Sequence, residues 1–298
     1  MRLTAIIEDY LLLWVLLAVG LGIAVPRVAV VTEVLTGILA VMIGSISLTL
    51  SVEQFRQVEG RTLGTALLGH VTMPFLAFAI ARGLELSPEL TVGFVVLGAV
   101  TPELVTPVMT ELAGGDTALS ATALAAIGIG SIAFIPAVVV VLVGGIGVST
   151  VPLVEQLLIA VVGPMLLAVG VRAWRPERVK RYDDYYPSVS ALMVILVIGG
   201  VTATNAAVIR SSRTVLFVVG AGVVVLNLLG YGVGWLGTVH RPRDERIAVA
   251  LSVGMRDFAV AAALVVAAGL PARASLPAVV FGIVEMATSA GLARYFAR

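Results

Sequence analysis

A chain of 298 residues that is 59% hydrophobic and 12% charged, with a mean hydropathy of +1.09, lies far from the roughly 25% charged residues of a soluble domain. It reads as one integral membrane domain, and a separate soluble domain has no room. A net charge of +1 gives no ground for nucleic-acid binding, and the absence of cysteine removes disulfides, thiolate metal sites and cysteine catalysis together.

Apolar runs of about 20 residues, enough to cross a hydrocarbon core, predict ten spans: 10–25, 34–50, 62–82, 90–112, 117–144, 152–172, 188–208, 214–236, 247–268 and 276–295. The first segment, "DYLLLWVLLAVGLGIAVP", has neither a basic n-region nor a small-residue cleavage site, so it reads as a span and not as a signal peptide. Only "RVAVVTE" separates it from the second. With both termini on one face, that face collects 13 Lys and Arg, the other face collects 5, and Arg256 is left inside the membrane. Excess positive charge marks the cytoplasmic side, so both termini are expected there, in the cell membrane. The basic loop "RAWRPERVKRYDDYYP" reads as a topology determinant touching anionic headgroups.

Ten spans suggest two inverted halves of five, about 8–145 and 150–298, since transporters are often built this way with their site at broken helices. The fourth span of each half is the irregular one. In span 4, Ser87-Pro88-Glu89 is a helix-start pattern of hydroxyl N-cap, proline and carboxylate, and Thr101-Pro102-Glu103 repeats it mid-span. Pro102 and Pro107, five residues apart, make an unbroken helix untenable. Unpaired backbone at that depth must face protein or a cavity. In span 9 the stretch "LSVGMRDF" sets Gly254 beside Arg256 and Asp257, with Asp257 suited to cap a restarted half-helix. A charge at the bilayer centre costs at least about 2.5–3.5 kcal/mol and normally faces a cavity or partner. Arg256 is therefore expected to be functional, with Asp257 and Glu103 as its counter-charges.

Other polar residues have plainer readings. His70 in span 3 reads as a packed, hydrogen-bonded residue before it reads as a relay, and Asn205 and Asn227 read as interhelical hydrogen-bonding residues. Glu111 and Asp116 fall at a span end and are expected to be solvated. Glu285 in span 10 is an intramembrane carboxylate with no evident partner.

The pieces "MIGSISLTLSVEQF", "HVTMPFLAFAIA", "VLGAVTPELVTPVMTELAGGDTALS" and "LSVGMRDFAVAAAL" resemble the bile acid:sodium symporter superfamily nearly end to end. Organic-acid carriers and arsenite exporters are its relatives. The resemblance implies ten helices in a panel and a core, with spans 4 and 9 unwound and crossing near the midplane, where sodium-coupled members hold Na⁺ with oxygens. Matched to that pattern, the family's Pro-Gly-Gly falls on Thr101-Pro102-Glu103 and its Ser-Asn pair on Thr106 and Pro107. Of two span 5 hydroxyls Ser120 remains, Leu124 takes the other place, and the span 3 glutamine falls on Gly69. In span 9 the sodium glutamate falls on Ser252, and the Gly-Met-Gln-Asn run on Gly254, Met255, Arg256 and Asp257. Arg256 thus stands where a glutamine would, either replacing the coupling cation or binding an anionic substrate.

The expected function is a secondary carrier of a small organic anion by alternating access, with degenerate sodium sites and no coupling to Na⁺. Glu103 and Asp257 are its possible proton carriers, and no cofactor or metal is expected. The bilayer and the substrate are the expected partners. An arsenite-type exporter and a non-transporting sensor on the same fold are the alternatives. An enzyme is disfavoured: HExxH and GxSG are absent, and Asp183-Asp184 lacks the further aspartates of a diphosphate–Mg²⁺ site.

Overall fold

A computed structural model describes residues 10–49, 60–144 and 151–297. The positions of Arg2, Arg56 and Arg298, the end of "MIGSISLTLSVEQF" and the join between the two expected halves lie outside them. The described residues form helices α1 (Leu11–Ala24), α2 (Leu35–Ser47), α3 (Gly60–Gly83), α4 (Pro88–Ala99), α5 (Thr106–Leu112), α6 (Thr117–Val143), α7 (Val151–Leu157) and α8 (Gly163–Trp174). They continue with α9 (Pro176–Lys180), α10 (Tyr186–Thr204), α11 (Ala206–Ser211), α12 (Arg213–Gly237), α13 (Arg243–Gly254), α14 (Phe258–Ala267) and α15 (Leu276–Phe296).

Among these residues seven helices are long and apolar enough to cross a membrane, and α6, bent by 61° between Thr117–Ser131 and Ala133–Val143, makes an eighth. The bend follows from Pro136, whose ring clashes with the carbonyl four residues back, at position 132. Helices α1 and α4 are apolar but have only 14 and 12 residues, about 21 and 18 Å of rise. Large side chains such as Leu13, Leu17, Val141, Leu167 and Phe217 face outward, as a surface against lipid tails allows. Arg243–Ala267 is the opposite case: 89% of its most apolar window is buried, against 28% for Pro26–Ser47. That span is the centre of the bundle.

Two layers result. In one, α10 packs on α1 and α2, and α2 on α8; in the other, α3, α4, α6, α12, α13, α14 and α15 pack together. They meet where α14 lies against α2 and α10.

Several expectations need correction. The second span begins at Pro26 and not at 34, because Pro26–Val34, which includes "RVAVVTE", forms a 3-10 helix that runs into α2. Ser87 takes the N-cap position of α4, yet its side chain makes no capping bond. Thr101-Pro102-Glu103 starts no helix; α5 begins at Thr106, with Pro107 in its first turn. A proline is harmless only in a first turn and pushes its predecessor out of the α region, so of two prolines five apart the later sets the start. Asp116 is not merely solvated, since its side chain accepts from the Leu119 N–H and caps α6.

Candidate substrate and ion site

Both central helices come apart. Residues 100–105 separate α4 from α5 and residues 255–257 separate α13 from α14, and α4 packs on α14 while α5 packs on α13. The breaks are bonded to each other: the Asp257 N–H donates to the Thr101 carbonyl at 2.9 Å. Asp257 also caps α14, its Oδ1 accepting from the Val260 N–H at 2.9 Å, as a short acidic side chain at an N-cap should.

Arg256 is fully buried. Its Nη2 donates to the Val253 carbonyl at 2.8 Å, its Nη1 donates to the Val100 carbonyl at 3.2 Å, and Nη1 lies 2.5 Å from His70 Nδ1. Arginine only donates, so His70 Nδ1 accepts and the ring is the neutral Nε2–H tautomer. That ring packs on Phe134 with centroids 5.4 Å apart, and its Nε2 has no hydrogen-bond partner among the described residues. Val100 follows the last residue of α4 and Val253 lies in the last turn of α13. Helix ends present unpaired carbonyls and the negative pole of the dipole, so the guanidinium is held by two helix C-termini at once.

The expected ion pairs are not formed. Among the described residues no carboxylate pairs with Arg256, because Asp257 is engaged as a cap and the guanidinium turns back toward α3 and α13. Among the described residues the buried Glu103 has no partner for Oε2, and Glu285 on α15, fully buried near Arg256, makes no side-chain hydrogen bond. Glu103, Asp257 and Glu285 stand close enough to feel one another's charge, yet no group of three or more His, Asp or Glu among the described residues converges to hold a metal ion.

The hydroxyls form a separate buried group. Thr110 Oγ1 donates to Ser120 Oγ at 3.1 Å, Ser120 and Ser252 are 3.4 Å apart, and Thr106 Oγ1 bonds the Glu103 carbonyl. Asn227 acts as an interhelical residue: its Nδ2 donates to the Gly254 carbonyl at 3.2 Å, and its Oδ1 accepts from Thr288 Oγ1 at 2.7 Å. Tyr231 and Thr288 escaped the reading of the sequence; Thr288, one helical turn after Glu285, was the available signal. Gly254 is required by space, since a Cβ there would lie 2.1 Å from the Tyr231 ring. At Gly69 a Cβ would lie 2.7 Å from Val253, so the position of the family's glutamine is closed by packing.

A cavity of about 450 Å³ lies between the layers, with Glu103, Leu104, Pro107, Thr49, Leu124 and Asp183 on its wall. A smaller one of about 50 Å³ shares Leu104 and Leu124 with it and reaches Thr101 and Asp257. Asp183 is held by Arg172 through two bonds of 2.6 and 3.1 Å, and Arg172 also bonds the Leu48 carbonyl. Elsewhere Asn205 Nδ2 donates to Ser275 Oγ at 2.9 Å, tying the end of α10 to the segment before α15.

A sequence model of the Sodium Bile acid symporter family matches residues 36–212. The chain is 27% identical over 298 residues to an uncharacterized sodium-dependent transporter, YocS, of Bacillus subtilis (strain 168), across 96% of this chain and 90% of that one. It is 25% identical over 255 residues to a probable chloroplastic sodium/metabolite cotransporter, BASS2, of Oryza sativa subsp. japonica, across 83% of this chain and 60% of that one. With more than half its length matched and apolar helices throughout, the chain is a multi-pass membrane protein and belongs to the sodium bile acid symporter family of transporters.

Proposed function

We propose that the chain is a secondary carrier of a small organic anion that works by alternating access without coupling to Na⁺. The observation that carries this is the Arg256 guanidinium bonded to the carbonyls of Val100 and Val253 at the ends of two half-helices. Such carbonyls are cation ligands, and here the cation is a side chain. A sodium ion 4 Å from it would be repelled by roughly 4 kcal/mol in an effective dielectric near 20. Ser252 and Gly69 bring no carboxylate or amide oxygen to help. Both relatives carry sodium in their names; the reading here rests on this chain's own residues.

Alternating access is supported by the cavity between the two layers. The chain is read as ten spans in two inverted halves of one domain, α1 and α4 being short spans and the central helices crossing at their breaks. The termini are read as cytoplasmic in the cell membrane. The anionic substrate follows from the family's organic-acid carriers, and the cavity has a size suited to a small molecule.

Uptake of carboxylates and sulfonates into proteoliposomes tests the reading. Flux of an organic anion without Na⁺ is expected. A steep rise of initial rate with Na⁺ at constant ionic strength and membrane potential would show that other oxygens rebuild a sodium site, and no flux of any anion would favour a sensor. Single cysteines at Asp184 and Ser211 should label from opposite faces; labelling from the same face breaks the ten-span topology.

A further inference from the structure

An organic anion meets a difficulty in the 450 Å³ cavity that Glu103 lines. Among the described residues its wall carries no basic side chain and its charged groups are Glu103 and Asp183, while Arg294 lines an adjoining cavity that shares Leu11, Val105 and Val108 with it. Asp183 is neutralised by the Arg172 fork. Glu103 has no such partner among the described residues: its Oε2 is bare, and the fixed guanidinium of Arg256 is spent on His70 and two carbonyls. Among the described residues, the groups facing Glu103 add no positive charge. From the break in span 9 it faces Asp257, from α15 Glu285, and across the cavity Asp183, while α1, α2 and α6 offer Leu11, Ile46, Thr49, Ala121 and Leu124. A charged Glu103 about 4 Å from a bound anion would weaken binding roughly a thousandfold at an effective dielectric near 20. A neutral carboxylic acid reverses the sign of the interaction, because its O–H donates to the anion.

We infer that the carrier binds its anion together with one proton, both at Glu103, so that protons take the coupling role that Arg256 denies to sodium. This rests on the reading of the protein as an anion carrier. The step balances: the Glu103 carboxylate takes one proton from water at the open face, the acid donates a hydrogen bond to the anion, and both are released at the other face. One monoanion then moves with one proton and no net charge. Three features separate Glu103 from the other acids. Asp257 already spends an oxygen on the Val260 N–H, Glu285 lies on the wall of neither cavity, and the three carboxylates do not converge on a metal position among the described residues.

The test uses sodium-free proteoliposomes of the full chain, with succinate, benzenesulfonate and 2-hydroxyethanesulfonate as probes and the membrane potential clamped. An inward proton gradient of about two pH units should raise initial uptake of a transported sulfonate at least tenfold. A potential imposed without a pH gradient should leave it unchanged. In Glu103→Gln the ratio of uptake with and without the gradient should fall to about one, whereas Asp257→Asn should keep most of the stimulation. Undiminished stimulation in Glu103→Gln, or its loss in Asp257→Asn alone, would overturn the assignment. Should Glu103→Gln fail to fold, the parent protein decides: sulfonate uptake that is flat between pH 5 and 8 sinks the inference and leaves the anion carrier standing. Transport of none of the anions, with uptake of tetraethylammonium favoured at high pH, sinks both.

Discussion

The two helix breaks begin from similar sequence chemistry, a charged residue next to helix-starting signals in an apolar span, and end differently. The break at 255–257 is closed by its own side chains: Arg256 satisfies the carbonyls of Val100 and Val253, and Asp257 caps α14 and bonds Thr101 through its backbone. The break at 100–105 closes less. Val105 makes no side-chain cap for α5, Glu103 keeps an unpartnered oxygen, and Glu103, Leu104 and Val105 line the 450 Å³ cavity. One break is therefore closed by its own side chains, and the other opens onto the cavity where we place the substrate. A charge placed mid-membrane need not face a cavity; the ends of two half-helices can hold it.

Substitutions at four positions would break or sharpen that contrast, beginning with the largest effect. Arg256→Gln leaves the Val100 and Val253 carbonyls and His70 short of a donor, so transport should fall at least tenfold and stability by about 3 kcal/mol, read by thermal unfolding in detergent. Arg256→Lys should recover part of both, since an ammonium cannot reproduce the planar fork. Parent-level transport in Arg256→Gln would make the arginine incidental. Next, His70→Leu removes one acceptor of a buried guanidinium, and a loss of about 2 kcal/mol is expected. His70→Gln, whose amide oxygen can accept, should lose less. If the two variants unfold at the same temperature, the His70–Arg256 bond contributes nothing.

The smaller effects separate the two breaks most directly. Asp257→Ala deletes the α14 cap and should cost about 1 kcal/mol, against a few tenths for Asp257→Asn; equal melting temperatures would mean that backbone packing alone holds that end. Leu104→Ala, on the cavity wall and only half-buried, should cost under about 1 kcal/mol while raising the KM for a transported anion. A variant that melted sharply lower with KM unchanged would place Leu104 in the frame, and the division between the breaks would fail there.

Much of this was legible in the residues. Low charge and repeated apolar runs dictate a membrane bundle, because the cost of burying charge in hydrocarbon is paid residue by residue, wherever the helices pack. Likewise Pro107 and the Gly254–Asp257 stretch announce broken helices, since a missing N–H and a capping carboxylate act within one turn. Which of two prolines would start α5, and where the second span would begin, depended on neighbours and was misread. The partners of Arg256 were decided only by the tertiary fold. Nothing in the chain order sets His70, 186 residues away, and the end of α4 around one guanidinium, and the adjacent Asp257 looked like its counter-charge until the start of α14 claimed that carboxylate. Backbone needs are local and therefore written in sequence. The pairing of buried charge is settled by whichever donors and acceptors the packing leaves unsatisfied, and only the assembled layers determine those.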